Sequence, residues 1–151
     1  MEIIDTHTHL YLNHFKNDID EVITKSIENN IQKFIMPSID SSHMQSMYDL
    51  KSRYPKNIFL MTGLHPVYVK ENYTCELEKV VNSLNDTDFV AIGEIGIDLY
   101  WDKTYLKQQQ DAFEFQIELA ISNKLPIVIH CREGFDEIFE ILERFKSKKM
   151  T

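Results

Sequence analysis

The chain has 151 residues, 43% of them hydrophobic and 26% charged, with a formal net charge of −8, enough apolar material for the core of one ordinary domain. The acidic balance excludes a broad cationic surface that grips long nucleic acid by counterion release, but not a phosphodiester held through bound cations. The apolar runs fall well short of the roughly 20 residues a membrane helix requires, the chain opens at Met1-Glu2 without a basic leader, and Cys75 and Cys131 are too few for a disulfide framework, so a cytoplasmic protein with reduced thiols and no membrane contact is expected.

Along the chain, a short apolar run followed by a longer amphipathic one recurs as five strand-helix units. The first strand covers residues 3–6 and delivers His7 and His9 in the stretch MEIIDTHTHL. Side chains two apart on an extended chain leave the same face, which is how a strand offers a metal two nitrogens; a polar turn after the strand is the alternative. A helix over 18–30, a strand over 33–36 and a helix over 42–54 follow. The third strand, 58–62, runs into Gly63-Leu64-His65-Pro66 and is followed by a helix over 75–84. The fourth strand, 89–93, leads into Glu94. The helix over 104–123 has the clearest period, with Leu106, Phe113, Ile117, Ala120 and Ile121 at helical spacing and Lys107, Asp111, Glu114 and Glu118 between them. Pro126 stops it and starts the fifth strand, 127–130, before a helix over 135–146; the lysine-rich stretch 146–149 reads as a solvated helix end.

Strands alternating with helices imply a parallel sheet with right-handed crossovers, either doubly wound or closed into a barrel. His7 with His9, His65, Glu94 and His130 each follow a strand, and strand ends of that polarity converge at the mouth of a TIM barrel, whereas an open sheet spreads them along a line. Taken singly, His65 also fits a turn and His130 a hydrogen-bonded core position. Glu94, between Val90-Ala91-Ile92-Gly93 and Ile95-Gly96-Ile97, requires a partner for its charge, and a carboxylate can present one oxygen to each of two cations. Asp5 and Asp98 suit carboxylates that orient metal-bound imidazoles from behind, with a cap or turn as the other role for Asp98. Arg132 is placed to hold an anionic oxygen, or else to pair with Glu133 or Asp136. His14 and His43 read as surface residues, and Tyr100 and Trp101 either line the mouth or pack.

In order, Ile4-Asp5-Thr6-His7-Thr8-His9, Gly63-Leu64-His65-Pro66, Ala91-Ile92-Gly93-Glu94-Ile95-Gly96-Ile97-Asp98 and Leu125-Pro126-Ile127-Val128-Ile129-His130-Cys131-Arg132 resemble the N-terminal part of TatD-type metal-dependent deoxyribonucleases, over essentially all of residues 1–151. The resemblance implies an α/β fold, a TIM (β/α)8 barrel of the metal-dependent hydrolase type, here incomplete at five units and forming the N-terminal portion of one barrel domain. It implies two divalent metal ions (Mg, Mn or Zn), with His7 and His9 on one, His130 on the other and Glu94, the catalytic carboxylate, between both. His65 and Arg132 would contact substrate phosphate. The activity implied is hydrolysis of DNA, especially single-stranded 3′ ends, as a 3′ exonuclease. Family members add a metal-binding histidine after the sixth strand and an aspartate after the eighth; neither is present in residues 1–151, so impaired activity of the 151-residue chain and self-association of its incomplete barrel are expected. The rivals are a metal-dependent hydrolase of another ester or amide and a non-catalytic metal-binding or interaction fragment.

Overall fold

A computed structural model of the chain describes residues 1–86 and 88–146, and the lysine stretch beyond 146 lies outside them. The strands are β1 (Ile3–Asp5), β2 (Ile31–Met36), β3 (Ile58–Thr62), β4 (Phe89–Asp98) and β5 (Ile127–Arg132). The helices that follow them are α1 (Ile19–Glu28), α2 (Met44–Arg53), α3 (Tyr73–Ser83), α4 (Leu106–Asn123) and α5 (Phe135–Phe145). All five strands are parallel and stand side by side in chain order, β1-β2-β3-β4-β5. Each strand pairs with the next because the intervening helix returns the chain along the sheet in one sense, the winding of a curled half-barrel.

The core lies between this sheet and its helices, in neighbouring apolar clusters. Ile23 of α1 and Met47 and Leu50 of α2 pack with Phe34, Met36, Ile58 and Leu60 of β2 and β3. Phe113 and Ile117 of α4 and Ile138 and Ile141 of α5 pack with Ile92, Ile95 and Ile97 of β4. The helical period read in α4 is therefore its buried stripe, joined there by the buried Ala112, Gln109 and Gln116. The helix ends as its cap dictates: Lys124 adopts the left-handed conformation, its N–H reaching the Ile121 carbonyl and the Leu125 N–H that of Ala120, before Pro126 prevents continuation.

The largest departure from the expected elements is β4, which continues past Gly93 to Asp98. Its pairing with β5 shifts register between Ile92 and Ile95, then resumes as Gly96 with His130 and Asp98 with Arg132. Glu94 thus sits at an irregularity within a strand rather than in the loop after one. Gly96 permits the continuation: its φ is +141°, and a Cβ there would lie 2.1 Å from the His130 carbonyl oxygen. β5 also runs on to Arg132, and residues 41–43 form a 3-10 turn ahead of α2.

Two buried glutamines on α4, seven residues and so about two turns apart, clamp the upper ends of the sheet to the helix. Gln109 accepts from the Asp98 N–H (2.8 Å) and donates to the Asp98 carbonyl (3.1 Å). Gln116 does the same for Leu64, at 2.7 and 3.3 Å. Each side-chain amide closes a two-bond ring with backbone groups that lie past the last β3–β4 pair, Thr62 with Ile92. Gln116→Leu preserves volume but leaves both Leu64 groups buried and unpaired, so a loss of about 1–3 kcal/mol in unfolding free energy is expected; urea titration followed by circular dichroism measures it, and an unchanged midpoint refutes the clamp.

Candidate metal centre

Beyond β1 the chain bends at His7 but stays tied to β2, the Thr8 N–H donating to the Ile35 carbonyl at 3.1 Å, and His7 and His9 both turn toward Glu94. Their Nε2 atoms approach Glu94 Oε2, His7 at 3.0 Å and His9 at 3.8 Å. The other carboxylate oxygen, Oε1, lies 3.1 Å from His130 Nδ1 and 4.0 Å from His65 Nε2. Four imidazoles from the ends of β1, β3 and β5 therefore meet around one β4 carboxylate that is 8% exposed. They form two groups, His7-His9-Glu94 and His65-Glu94-His130, with ligand atoms in each within 4.8 Å of one another.

The hydrogen-bond pattern assigns the protons. The buried Tyr11 hydroxyl gives its proton to the Pro37 carbonyl at 2.7 Å, so at 2.8 Å from His9 Nδ1 its oxygen can only accept, which places the His9 proton on Nδ1 and a lone pair on Nε2. Burial also pushes the Tyr11 phenol far up, keeping it protonated. His130 Nε2 lies 2.8 Å from Asp98 Oδ2, so Nε2 carries a proton; Nδ1 is then free either to carry one toward Glu94 or to offer its lone pair to a cation. His65 differs, because its Nδ1 accepts the Val67 N–H at 3.1 Å. In the neutral ring the proton then sits on Nε2, facing His130 Nδ1 at 3.1 Å, which makes Nε2 a donor to an anionic oxygen rather than a metal ligand.

The electrostatics follow from burial and crowding. Burial and the neighbouring His130 lower the His65 pKa to about 4. Burial and His7 also hold His9 below the ordinary histidine value. For His130, burial acts in the same direction but is outweighed by hydrogen bonds and charge from Glu94 and Asp98, so its pKa is raised. Burial would raise the Glu94 carboxyl, yet the His130 hydrogen bond and the imidazoles around it hold it below its usual range. An ionised carboxylate among lone-pair-bearing imidazoles is a donor set that fits divalent cations.

The remaining candidates divide. Asp98, 2% exposed, orients His130 and with its other oxygen accepts from the Tyr100 and Trp101 N–H groups at 3.0 and 3.4 Å. Asp5 accepts from the His7 backbone N–H at 3.2 Å and so steadies the turn rather than an imidazole. Arg132 lies with its guanidinium 3.5 Å from the Tyr100 ring centre, and among the described residues it is not in the alternative ion pair with Glu133 or Asp136. His14 is exposed, but His43 is half-buried, 2.8 Å from Asp40 Oδ1 and edge-on to Tyr11. Sequence inspection missed Tyr11, Gln109 and Gln116. Tyr11 continues the two-residue spacing of His7 and His9, which is a signal; the glutamines lie in an ordinary polar run with nothing to mark them.

Comparison with known proteins agrees with this geometry. The family model described as TatD related DNase matches residues 4–151. A Haemophilus influenzae protein named as an uncharacterized metal-dependent hydrolase is 31% identical over 99% of this chain and 60% of its own length. The 3′-5′ ssDNA/RNA exonuclease TatD of Salmonella typhimurium is 23% identical over 93% of this chain and 54% of its own length. The crystal structure of YJJV, a TatD homologue from Escherichia coli, superposes with a TM-score of 0.85 at 28% identity, covering 94% of this chain and 55% of that one. The chain thus spans a little over half the length of these relatives, and with a family model matched along nearly all of its residues it belongs to the TatD-related DNase family.

Proposed function

We propose that residues 1–151 are the N-terminal portion of a single barrel domain that hydrolyses DNA phosphodiester bonds, as a 3′ exonuclease on single-stranded ends, in the cytoplasm. One observation carries this: the two oxygens of Glu94 face separate imidazole groups, Oε2 toward His7 and His9 and Oε1 toward His130 and His65. A carboxylate so placed can serve two cations at once. His7, His9 and Glu94 Oε2 would hold one, and His130 Nδ1 with Glu94 Oε1 the other. When bound, such a pair (Mg, Mn or Zn) supplies Lewis-acid polarisation of a phosphoryl oxygen and offsets the charge that builds up at phosphorus; histidine donors suit Zn or Mn better than Mg. The chain's own groups do the rest. Asp98 and Tyr11 keep the ligand rings in the required tautomers, while the His65 Nε2–H and the Arg132 guanidinium receive anionic oxygens of the substrate. The substrate class is supported by the name of the Salmonella typhimurium relative. Among the described residues no helix is long and apolar enough to cross a membrane.

Titration calorimetry with Zn or Mn is expected to show divalent binding that Asp98→Asn weakens about 10–100-fold, the usual cost of losing the carboxylate behind a ligand imidazole, and that Glu94→Ala weakens further with the circular dichroism spectrum unchanged. In a version spanning the full length of the relatives, Glu94→Ala should abolish release of nucleotides from a 3′-labelled single strand with Mg or Mn; turnover within a few fold of the parent refutes the role. If other esters or amides are hydrolysed and DNA is not, the substrate assignment is wrong.

We further propose that the 151-residue chain self-associates. Ile3 and Ile4 on β1 and Ile129 on β5 are exposed on the two edge strands, and Phe135 and Phe139 lie stacked and exposed on α5. Such edges and apolar surfaces seek partners. Light scattering coupled to gel filtration should register species heavier than the 17.9 kDa chain; a monodisperse monomer at micromolar concentration overturns this.

A further inference from the structure

Resting on the phosphodiester reading above, we infer that Tyr100, Trp101 and Arg132 form a nucleotide-docking ledge beside the metal centre, Trp101 stacking on a nucleobase and Arg132 holding the phosphate attached to it. Trp101 is 69% exposed and Tyr100 50%. Against the described residues a large ring so open to water gains nothing from burial, whereas stacking on a flat heterocycle would cover it. The two rings meet edge to face, centroids 4.8 Å apart and planes at 89°, a contact that still leaves Trp101 largely open to solvent.

The ledge is rigidly tied to the cluster. A single carboxylate, Asp98, holds His130 through Oδ2 and the backbone N–H groups of Tyr100 and Trp101 through Oδ1. Asp98 is also opposite Arg132 in the β4–β5 register, and the Leu99 N–H donates to the Arg132 carbonyl at 2.9 Å. Both sides of the ledge therefore grow from strand ends that carry candidate metal ligands.

Arg132 supplies the charge complement. Its guanidinium lies 3.5 Å from the Tyr100 ring centre and 5.4 Å from that of Trp101, and among the described residues it forms no ion pair. Stacking holds the guanidinium by its plane and leaves the edge, where the N–H groups are, open to an anionic oxygen. In a chain of net charge −8 a cation without an acidic partner, next to exposed aromatics at a candidate phosphodiester site, matches one unit of single-stranded nucleic acid: a ring to stack and a phosphate to pair.

Trp101 is the sole tryptophan of the chain, so its emission reports the contact directly and without turnover. The experiment titrates the 151-residue protein, with EDTA present at low salt, with a short thymidine oligomer and with an abasic oligomer of equal length and charge. The thymidine oligomer is expected to quench Trp101 emission and to bind more tightly by about fivefold to a hundredfold, the worth of one stacked base. Fluorescence anisotropy of the labelled oligomers with Trp101→Ala should show that advantage lost and affinity for the abasic oligomer unchanged, with Trp101→Phe restoring part of it. Equal affinities for both oligomers, unaltered by Trp101→Ala, overturn the ledge and leave the phosphodiester reading standing. Binding of neither oligomer in EDTA overturns the ledge, and binding of neither when Zn replaces EDTA, by a protein that takes up Zn in calorimetry, overturns the phosphodiester reading as well.

Discussion

Everything at the upper end of the sheet depends on one buried carboxylate. Glu94 cannot keep its charge at 8% exposure without compensation, because an isolated ion in such surroundings costs far more than the domain's net stability. The compensation is a ring of four imidazoles, three of them with a second partner: Tyr11 for His9, Asp98 for His130 and the Val67 N–H for His65. Those partners are anchored in turn, Tyr11 on the Pro37 carbonyl and Asp98 through Gln109. Among the described residues no buried side-chain polar atom lacks a partner. A network satisfied to this degree holds ring orientations and tautomers in place, which is what a preorganised metal site requires.

The price of carrying that network is paid in backbone regularity. β4 is the longest strand, and it reaches Asp98 by shifting register against β5 across the residues that include Glu94. The shift aims the Glu94 side chain into the cluster, while Gly96 lets the two backbones close up again at His130. Where the ladder gives way, α4 takes over as a rigid strut, its glutamines supplying the backbone with hydrogen bonds the neighbouring strands do not. The apolar stripe of α4 and its polar clamps are parts of one surface, so packing and site geometry are coupled through a single helix.

Charge is distributed to suit this division. Exposed pairs such as Lys25 with Glu21 and Lys107 with Asp111 are helix-surface contacts of little consequence for stability. The surplus of acid over base on the chain repels a polyanion in general, so any phosphate drawn to the site must be drawn by local features. The candidate cation positions, the His65 Nε2–H and Arg132 are such features, and all stand at strand ends.

Much of this was legible in the residues themselves. Five strands and five helices follow from periodicity and turn residues, because a buried parallel strand and an amphipathic helix each leave an unmistakable apolar pattern. The gathering of His7, His9, His65, Glu94 and His130 follows from position alone, since successive parallel strands put their carboxyl ends on one side. Folding in three dimensions decided what lies across the chain rather than along it. The extension of β4 rests on pairing with β5, which no local propensity encodes. The tautomers of His9 and His65, and with them the distinction between a ligand and a donor, rest on Tyr11, Pro37 and Val67. Asp5 and Asp98 are both acids next to a candidate site, yet one meets a backbone N–H and the other an imidazole. Hydrogen-bond partners are set by angstrom-scale placement, and sequence spacing specifies only which side of a strand a residue leaves.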